Sequence, residues 1–121
     1  MVRTVDYKDP SRLSLISYLR KQERINDAPI WGRLAEDLNK SKKERAEVNI
    51  EKINRFTKDK ETVVVAGKIL ADGQLNHSVT LASYRISKSA VEKVLAAKGN
   101  VISIEELIKV NPKGTRVRIL R

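Results

Sequence analysis

The run Thr62-Val63-Val64-Val65-Ala66 constrains the fold more than any other part of this chain. Four β-branched residues followed by alanine suit an extended strand, and the lack of polar alternation predicts one buried on both faces. Such a strand lies inside a domain. The run closes at Gly67, and Asp72-Gly73 marks a turn before a second strand over about 79–84.

The flanking sequence reads mainly as helices. Asp9-Pro10 offers an N-cap followed by proline at the first helical position, where its missing N–H costs nothing. The spacing predicts a helix to about residue 25, with Leu15, Ile16, Tyr18, Leu19 and Ile25 on one side and Arg20, Lys21 and Arg24 on another arc. A second helix starts at Pro29, where Ile30, Trp31, Leu34, Ala35 and Leu38 form a core stripe opposite Arg33, Glu36, Asp37 and Lys40. Residues 40–47 are almost devoid of apolar side chains and predict a charged, exposed connection. Val48, Ile50, Ile53 and Phe56 fit a short strand or a strand running into a helix turn, and periodicity leaves both open. Ser87 can cap a third helix, with Ala90, Val91, Val94, Leu95 and Ala97 facing inward and Gly99 placed for a positive-φ stop. A short strand follows at Val101 and Ile102. Ser103 with Glu106 forms a capping box for a fourth helix that ends at Asn111-Pro112.

A chain of 121 residues implies one domain. Residues 1–8 read as a basic arm, 9–112 as the domain (helical over about 9–45, mixed over about 46–112), and 113–121 as a basic tail. The 25 Lys and Arg against 15 Asp and Glu leave a net charge of +10, which calls for polyanions around the folded chain. The longest strictly apolar runs, 63–66 and 94–97, are too short to span a bilayer, and the polar N-terminus does not resemble a signal peptide, so a cytoplasmic location without a membrane partner is expected. The absence of cysteine excludes zinc fingers, zinc ribbons and a thiolate nucleophile. Only five aromatics (Tyr7, Tyr18, Trp31, Phe56, Tyr84) argue against a sheet that stacks unpaired bases, which favours recognition of the nucleic-acid backbone.

Three segments carry a more specific signal: Val-Val-Val-Ala-Gly-Lys-Ile-Leu-Ala-Asp-Gly at 63–73, Ser-Ile-Glu-Glu-Leu at 103–107, and the ending Asn-Pro-Lys-Gly-Thr-Arg-Val-Arg-Ile-Leu-Arg. Together with the early Pro-Ile-Trp and the Glu-Val-Asn-Ile at 47–50, they resemble the large-subunit ribosomal protein eighteen-e family, related to bacterial large-subunit protein fifteen. The resemblance covers nearly the whole chain, and the short length resembles archaeal members. Ala66 departs from it, since the family is expected to place proline before Gly-Lys. The resemblance implies an α/β domain of irregular strand-strand-helix turns wound into a superhelix, preceded by a helical, RNA-binding N-terminal region. It further implies a structural constituent of the large ribosomal subunit, with ribosomal RNA and neighbouring ribosomal proteins as partners, and a chain monomeric when free. A basic nucleic-acid-binding module acting outside the ribosome is the alternative that charge alone allows.

Candidate RNA-binding residues follow the basic clusters. In the tail, Lys113, Arg116, Arg118 and Arg121 face no acidic neighbour in sequence; an extended chain puts Arg116 and Arg118 opposite Val117 and Ile119, and the tail is expected to bind RNA without holding up most of the fold. Lys40, Lys42, Lys43 and Arg45 could follow a phosphate track. Arg20, Lys21 and Arg24 form a helix-face version of the same idea, and Arg3 and Lys8 lie on the arm. Gly67-Lys68 lacks the spacing of a phosphate loop, since Thr62 stands at the required glycine and Ile69 where Ser or Thr is needed, so Lys68 is read only as a possible RNA contact. His77, the single histidine, is expected in a solvated loop without chemistry. Glu105-Glu106 suits a helix N-terminus and Glu36-Asp37 a polar helix face. No catalytic residue, metal ligand or cofactor is expected.

Overall fold

The computed structural model describes residues 10–41 and 43–121. Helix α1 (Pro10–Asn26) begins at its proline, and Asp27, in the left-handed region at φ 50°, turns the chain into α2 (Pro29–Leu38). A strand then leads directly into a helix, β1 (Ala46–Asn49) into α3 (Ile50–Phe56), which resolves the two readings of that stretch. The remaining elements are β2 (Glu61–Leu70), β3 (Val79–Ile86), α4 (Lys88–Ala96), β4 (Asn100–Ile102), α5 (Ile104–Val110) and β5 (Val117–Ile119).

All strand pairings among the described residues are parallel, in the order β1-β2-β3-β4 with β5 also on β2. Because β3 occupies one edge of β2 along most of its length, β1 (against 67–70) and β5 (against 62–64) share the other edge. The Asp72-Gly73 turn therefore starts a connection over 71–78 that carries the chain back to begin a parallel β3. Lys93 holds this loop by donating to the carbonyls of Ala71 at 2.6 Å and Gly73 at 2.5 Å.

The unbroken apolar run of β2 finds its explanation in the layers. Val64 and Ala66 face a core shared with α1, α2 and α5, whereas Val63, Val65 and Ile69 face a second core shared with α3 and α4. Alternate side chains point to opposite faces of a strand, so a sheet covered on both sides needs apolar residues at every position. The result is a mixed α/β domain with a helical N-terminal region, as expected.

Several local expectations are corrected. The strand does not close at Gly67: β2 runs on to Leu70, with a register shift between Val65 and Lys68. Gly67 pairs with Ala46 of β1, and a Cβ there would stand 2.0 Å from the Ala46 carbonyl oxygen, so glycine permits the close approach of β1. At the end of α4 the left-handed position is taken by Lys98 (φ 65°), not Gly99; Lys98 N–H donates to Leu95 and Gly99 N–H to Val94, both at 2.9 Å. Gly99 is instead required because a Cβ would lie 2.4 Å from the Val79 carbonyl oxygen. The caps of the two last helices stand as read: Ser87 Oγ accepts from Ala90 N–H, and Ser103 and Glu106 form the reciprocal capping box.

Ile25 is 62% exposed and does not join the core. At 100° per residue it lies about 130° from the centre of the buried arc formed by Arg12, Leu15, Ile16 and Leu19. Phe56 and Leu95 are likewise exposed. Asp37, assigned to a polar face, is buried because the C-terminal Arg121 folds onto it at 2.9 Å. Arg12 is buried too, and its guanidinium donates to the Leu38 carbonyl at 2.9 Å, satisfying the last turn of α2.

The last nine residues are not a free terminus. Val117, Arg118 and Ile119 pair with Thr62, Val63 and Val64 of β2, Leu120 N–H donates to the Val64 carbonyl, and the Leu120 side chain is buried in the second core. The expectation that this segment contributes little to the fold is overturned, because the edge of β2 beside β1 is left open until β5 fills it.

Candidate nucleic-acid interface

The expected cations fall into distinct groups. Arg20, Lys21 and Arg24 are exposed on α1, held there by the burial of Leu15, Ile16 and Leu19 on its other side. Lys113 joins them from far along the chain, since its ammonium donates to the Asn26 carbonyl at 2.6 Å. A cation at the C-terminal end of a helix is favoured by the helix dipole and by the unpaired carbonyls there. Lys113 thus lies next to the turn that carries Arg24.

A second group forms around Asp37. Lys40 lies 3.3 Å and Arg121 2.9 Å from its carboxylate, so two cations share one acid and leave a positive surplus at the surface. Lys43 is exposed in the connection after α2, and Arg45 is partly buried just before β1. Lys68 stands exposed on the far half of β2, apart from both groups. Arg3, Lys8 and Lys42 lie outside the described residues.

The third group surrounds β5. Arg116 and Arg118 point outward while Val117 and Ile119 pack against the first core, the alternation predicted from an extended chain. Arg118 is not free, however: it pairs with Glu61 at 3.3 Å. The Glu61 carboxyl is held below its ordinary range, first by the Lys58 backbone N–H donating at 2.6 Å and then by Arg118, so it stays ionised and offsets part of this patch. Glu61, Arg116 and Arg118 belong to a shallow open groove of about 660 Å³, also lined by Lys60 and Thr115. Lys60 and Lys98, both exposed, were not singled out from the sequence. Their signal was available in the basic Lys-Asp-Lys and Lys-Gly-Asn that precede two strands.

His77 is not simply solvated. Its Nε2 lies 2.8 Å from the hydroxyl of buried Thr57, which also donates to the Ile53 carbonyl at 2.6 Å. Since the single hydroxyl hydrogen is used on Ile53, the imidazole must donate through Nε2–H. The ring ties the 71–78 loop to the end of α3. His77→Ala should therefore cost roughly 0.5–1.5 kcal/mol in urea unfolding and leave RNA affinity unchanged; lost RNA binding would show that the ring does more than hold the loop.

Among the described residues no group of three or more His, Asp or Glu is placed to hold a metal ion, and no helix is long and apolar enough to cross a membrane. The profile of a family described as ribosomal protein 60S L18 and 50S L18e matches residues 7–121. Proteins called large ribosomal subunit protein eL18 are similar along the whole length: that of Methanospirillum hungatei is 46% identical over 121 residues, covering all of both chains, and that of Methanoregula boonei is 45% identical over the same span. The Pyrobaculum aerophilum protein of that name is 44% identical over 106 residues, covering 88% of this chain and 87% of its own.

Proposed function

Since the chain belongs to the ribosomal protein 60S L18 and 50S L18e family, we propose that it stabilises folded ribosomal RNA by contacting phosphates with exposed cations. Its family places it in the large subunit of the cytoplasmic ribosome, as a structural protein among RNA and other ribosomal proteins. The observation that carries the phosphate reading is the division of α1. One side is buried in the first core, and Arg20, Lys21 and Arg24 are turned to solvent, with Lys113 added at its end. With a net charge of +10 the free protein repels itself, and a polyanion that accepts these cations relieves that repulsion while releasing its own counterions. Arginine adds geometry, because its planar fork can bind two phosphate oxygens at once. Arg3, Lys8, Lys40, Lys42, Lys43, Arg45, Lys68, Arg116, Arg118 and Arg121 are further contacts under this reading.

The test is RNA affinity across a salt series, with refolded large-subunit ribosomal RNA from an archaeon and duplex DNA as competitor. Wild type should prefer the RNA and lose affinity steeply with salt. Arg20→Gln/Lys21→Gln/Arg24→Gln should flatten the slope of log affinity against log salt by about 2–3 units, at about 0.7–0.9 per phosphate contact. Stability should hold within about 0.5 kcal/mol per site, because these side chains are exposed. Superimposable lines for variant and wild type would remove α1 from the interface, and a wild-type line without salt dependence would remove the phosphate reading itself.

A further inference from the structure

In a parallel sheet every strand starts at the same end, so residues that precede strands gather on one rim. Here Arg116 precedes β5, Lys60 precedes β2 and Lys98 lies two residues before β4. The register aligns them: Thr62 pairs with Val117, Glu61 with Val79 and Thr80 with Asn100, which puts the three residues within about one residue of a common level. In the strand order β5-β2-β3-β4 they span three strand spacings, roughly 15 Å. Ser78, at the foot of β3, fastens two of them. Its carbonyl accepts from Lys60 N–H at 2.6 Å, and its hydroxyl donates to the Lys98 carbonyl at 3.1 Å.

All three cations also adopt the left-handed conformation, at φ 68° for Lys60, 65° for Lys98 and 62° for Arg116. Glycine enters that region without strain, and Asn or Asp with little, whereas a long side chain enters at a cost. The other left-handed positions among the described residues, Asp27, Gly73 and Gly114, hold the tolerant types. Strained backbone that persists at one rim, with a basic side chain at each strained position, points to a use for the charge. The nearby acids are already engaged, Asp59 by Ser78 N–H at 3.0 Å and Glu61 by Arg118 and Lys58 N–H. Among the described residues none of the three rim cations enters an ion pair. Lys60 and Arg116 line the groove beside β5 together.

We propose that Arg116, Lys60 and Lys98 form a phosphate-binding ledge along the N-terminal rim of the sheet, which seats successive phosphates of one RNA strand. This rests on the ribosomal-RNA reading above and deepens it by assigning a second, preorganised contact surface whose three cations are far apart in sequence and meet only along the rim of the sheet. The carbonyl and hydroxyl hydrogen bonds of Ser78 hold the Lys60 and Lys98 backbones before RNA arrives, so little ordering remains to be done on binding.

The experiment uses the full chain and the same refolded ribosomal RNA. Lys60→Asn/Lys98→Asn/Arg116→Asn replaces each cation with a residue that accepts the left-handed region. Its melting temperature should equal or exceed that of wild type, while the salt slope flattens by about 2–3 units. Lys60→Arg/Lys98→Arg/Arg116→Lys keeps the charge and should keep both affinity and slope. Lys88→Asn, which removes an exposed cation at the opposite end of the sheet, should leave the slope unchanged. Wild-type affinity and slope in the asparagine variant would overturn the ledge, as would equal loss in the charge-keeping variant or an equal loss per charge at Lys88. In those cases a steep wild-type slope would leave the broader reading standing, whereas a flat wild-type slope would end both.

Discussion

Trp31→Ala should lower the free energy of unfolding by roughly 3–5 kcal/mol, the range for deleting a large aromatic side chain from a packed core. Trp31 is fully buried between the helical layer and the chain that leads into β5. Its indole N–H donates to the Pro112 carbonyl at 2.7 Å, and its ring lies beside Gly114. The substitution leaves both a cavity and an unpaired carbonyl. A stable domain has only about 5–15 kcal/mol in total, so the variant should be near the limit of folding. Trp31→Phe keeps most of the volume and loses the donor, so it should cost less, about 1–3 kcal/mol. Urea titrations would show both shifts in midpoint with little change in slope. Wild-type stability in Trp31→Ala would mean that the ring is not the anchor of that turn.

Deleting 117–121 should destabilise the domain by at least about 3 kcal/mol and make it prone to self-association. The deletion removes Leu120 from the second core, which alone corresponds to about 2–5 kcal/mol for a buried leucine. It also takes Arg121 from buried Asp37, leaving Lys40 as the cation within ion-pairing distance of that carboxylate. The 62–64 edge of β2, stripped of β5, exposes unpaired backbone groups and invites pairing with another copy. Neutralising Arg116 and Arg118 alone is different, because both are exposed and β5 stays in place. Thermal melting and sedimentation of the two variants side by side would separate the roles. A truncated chain that melts like wild type and stays monomeric would show β5 to be dispensable.

That contrast marks where local pattern stops being informative. The hydrophobic run of β2, the stripe of Ile30, Trp31, Leu34, Ala35 and Leu38, and the Ser87 and Ser103 caps are all written in residues a few positions apart, which is the range over which helix and strand periodicity act. The family resemblance was equally legible in short motifs, and the profile matching 7–121 agrees with it. The cationic clusters of α1 and of the 40–45 connection could be named from composition, but their partners could not. Asp37 meets Arg121 from 84 positions away, Trp31 meets Pro112 from 81, and Lys113 meets Asn26 from 87. Periodicity carries no information at such separations.

The same limit explains the tail. The local alternation in Arg-Val-Arg-Ile-Leu-Arg fits an extended chain but does not say whether that chain pairs with a sheet. Its fate depends on whether an edge of β2 is open, and that depends on β1 taking only the far half of that edge. The glycines tell the same story in reverse. Gly67 and Gly99 looked like turn residues, yet each is needed because another backbone passes too close for a Cβ. The Ser87 and Ser103 helix caps, the buried run of β2 and the family motifs are legible among neighbours in sequence. Strand pairing, the burial of Asp37 and Arg12, and the alignment of Arg116, Lys60 and Lys98 on one rim are decided by chain segments that meet only when the sheet forms, because parallel pairing joins residues through long connections.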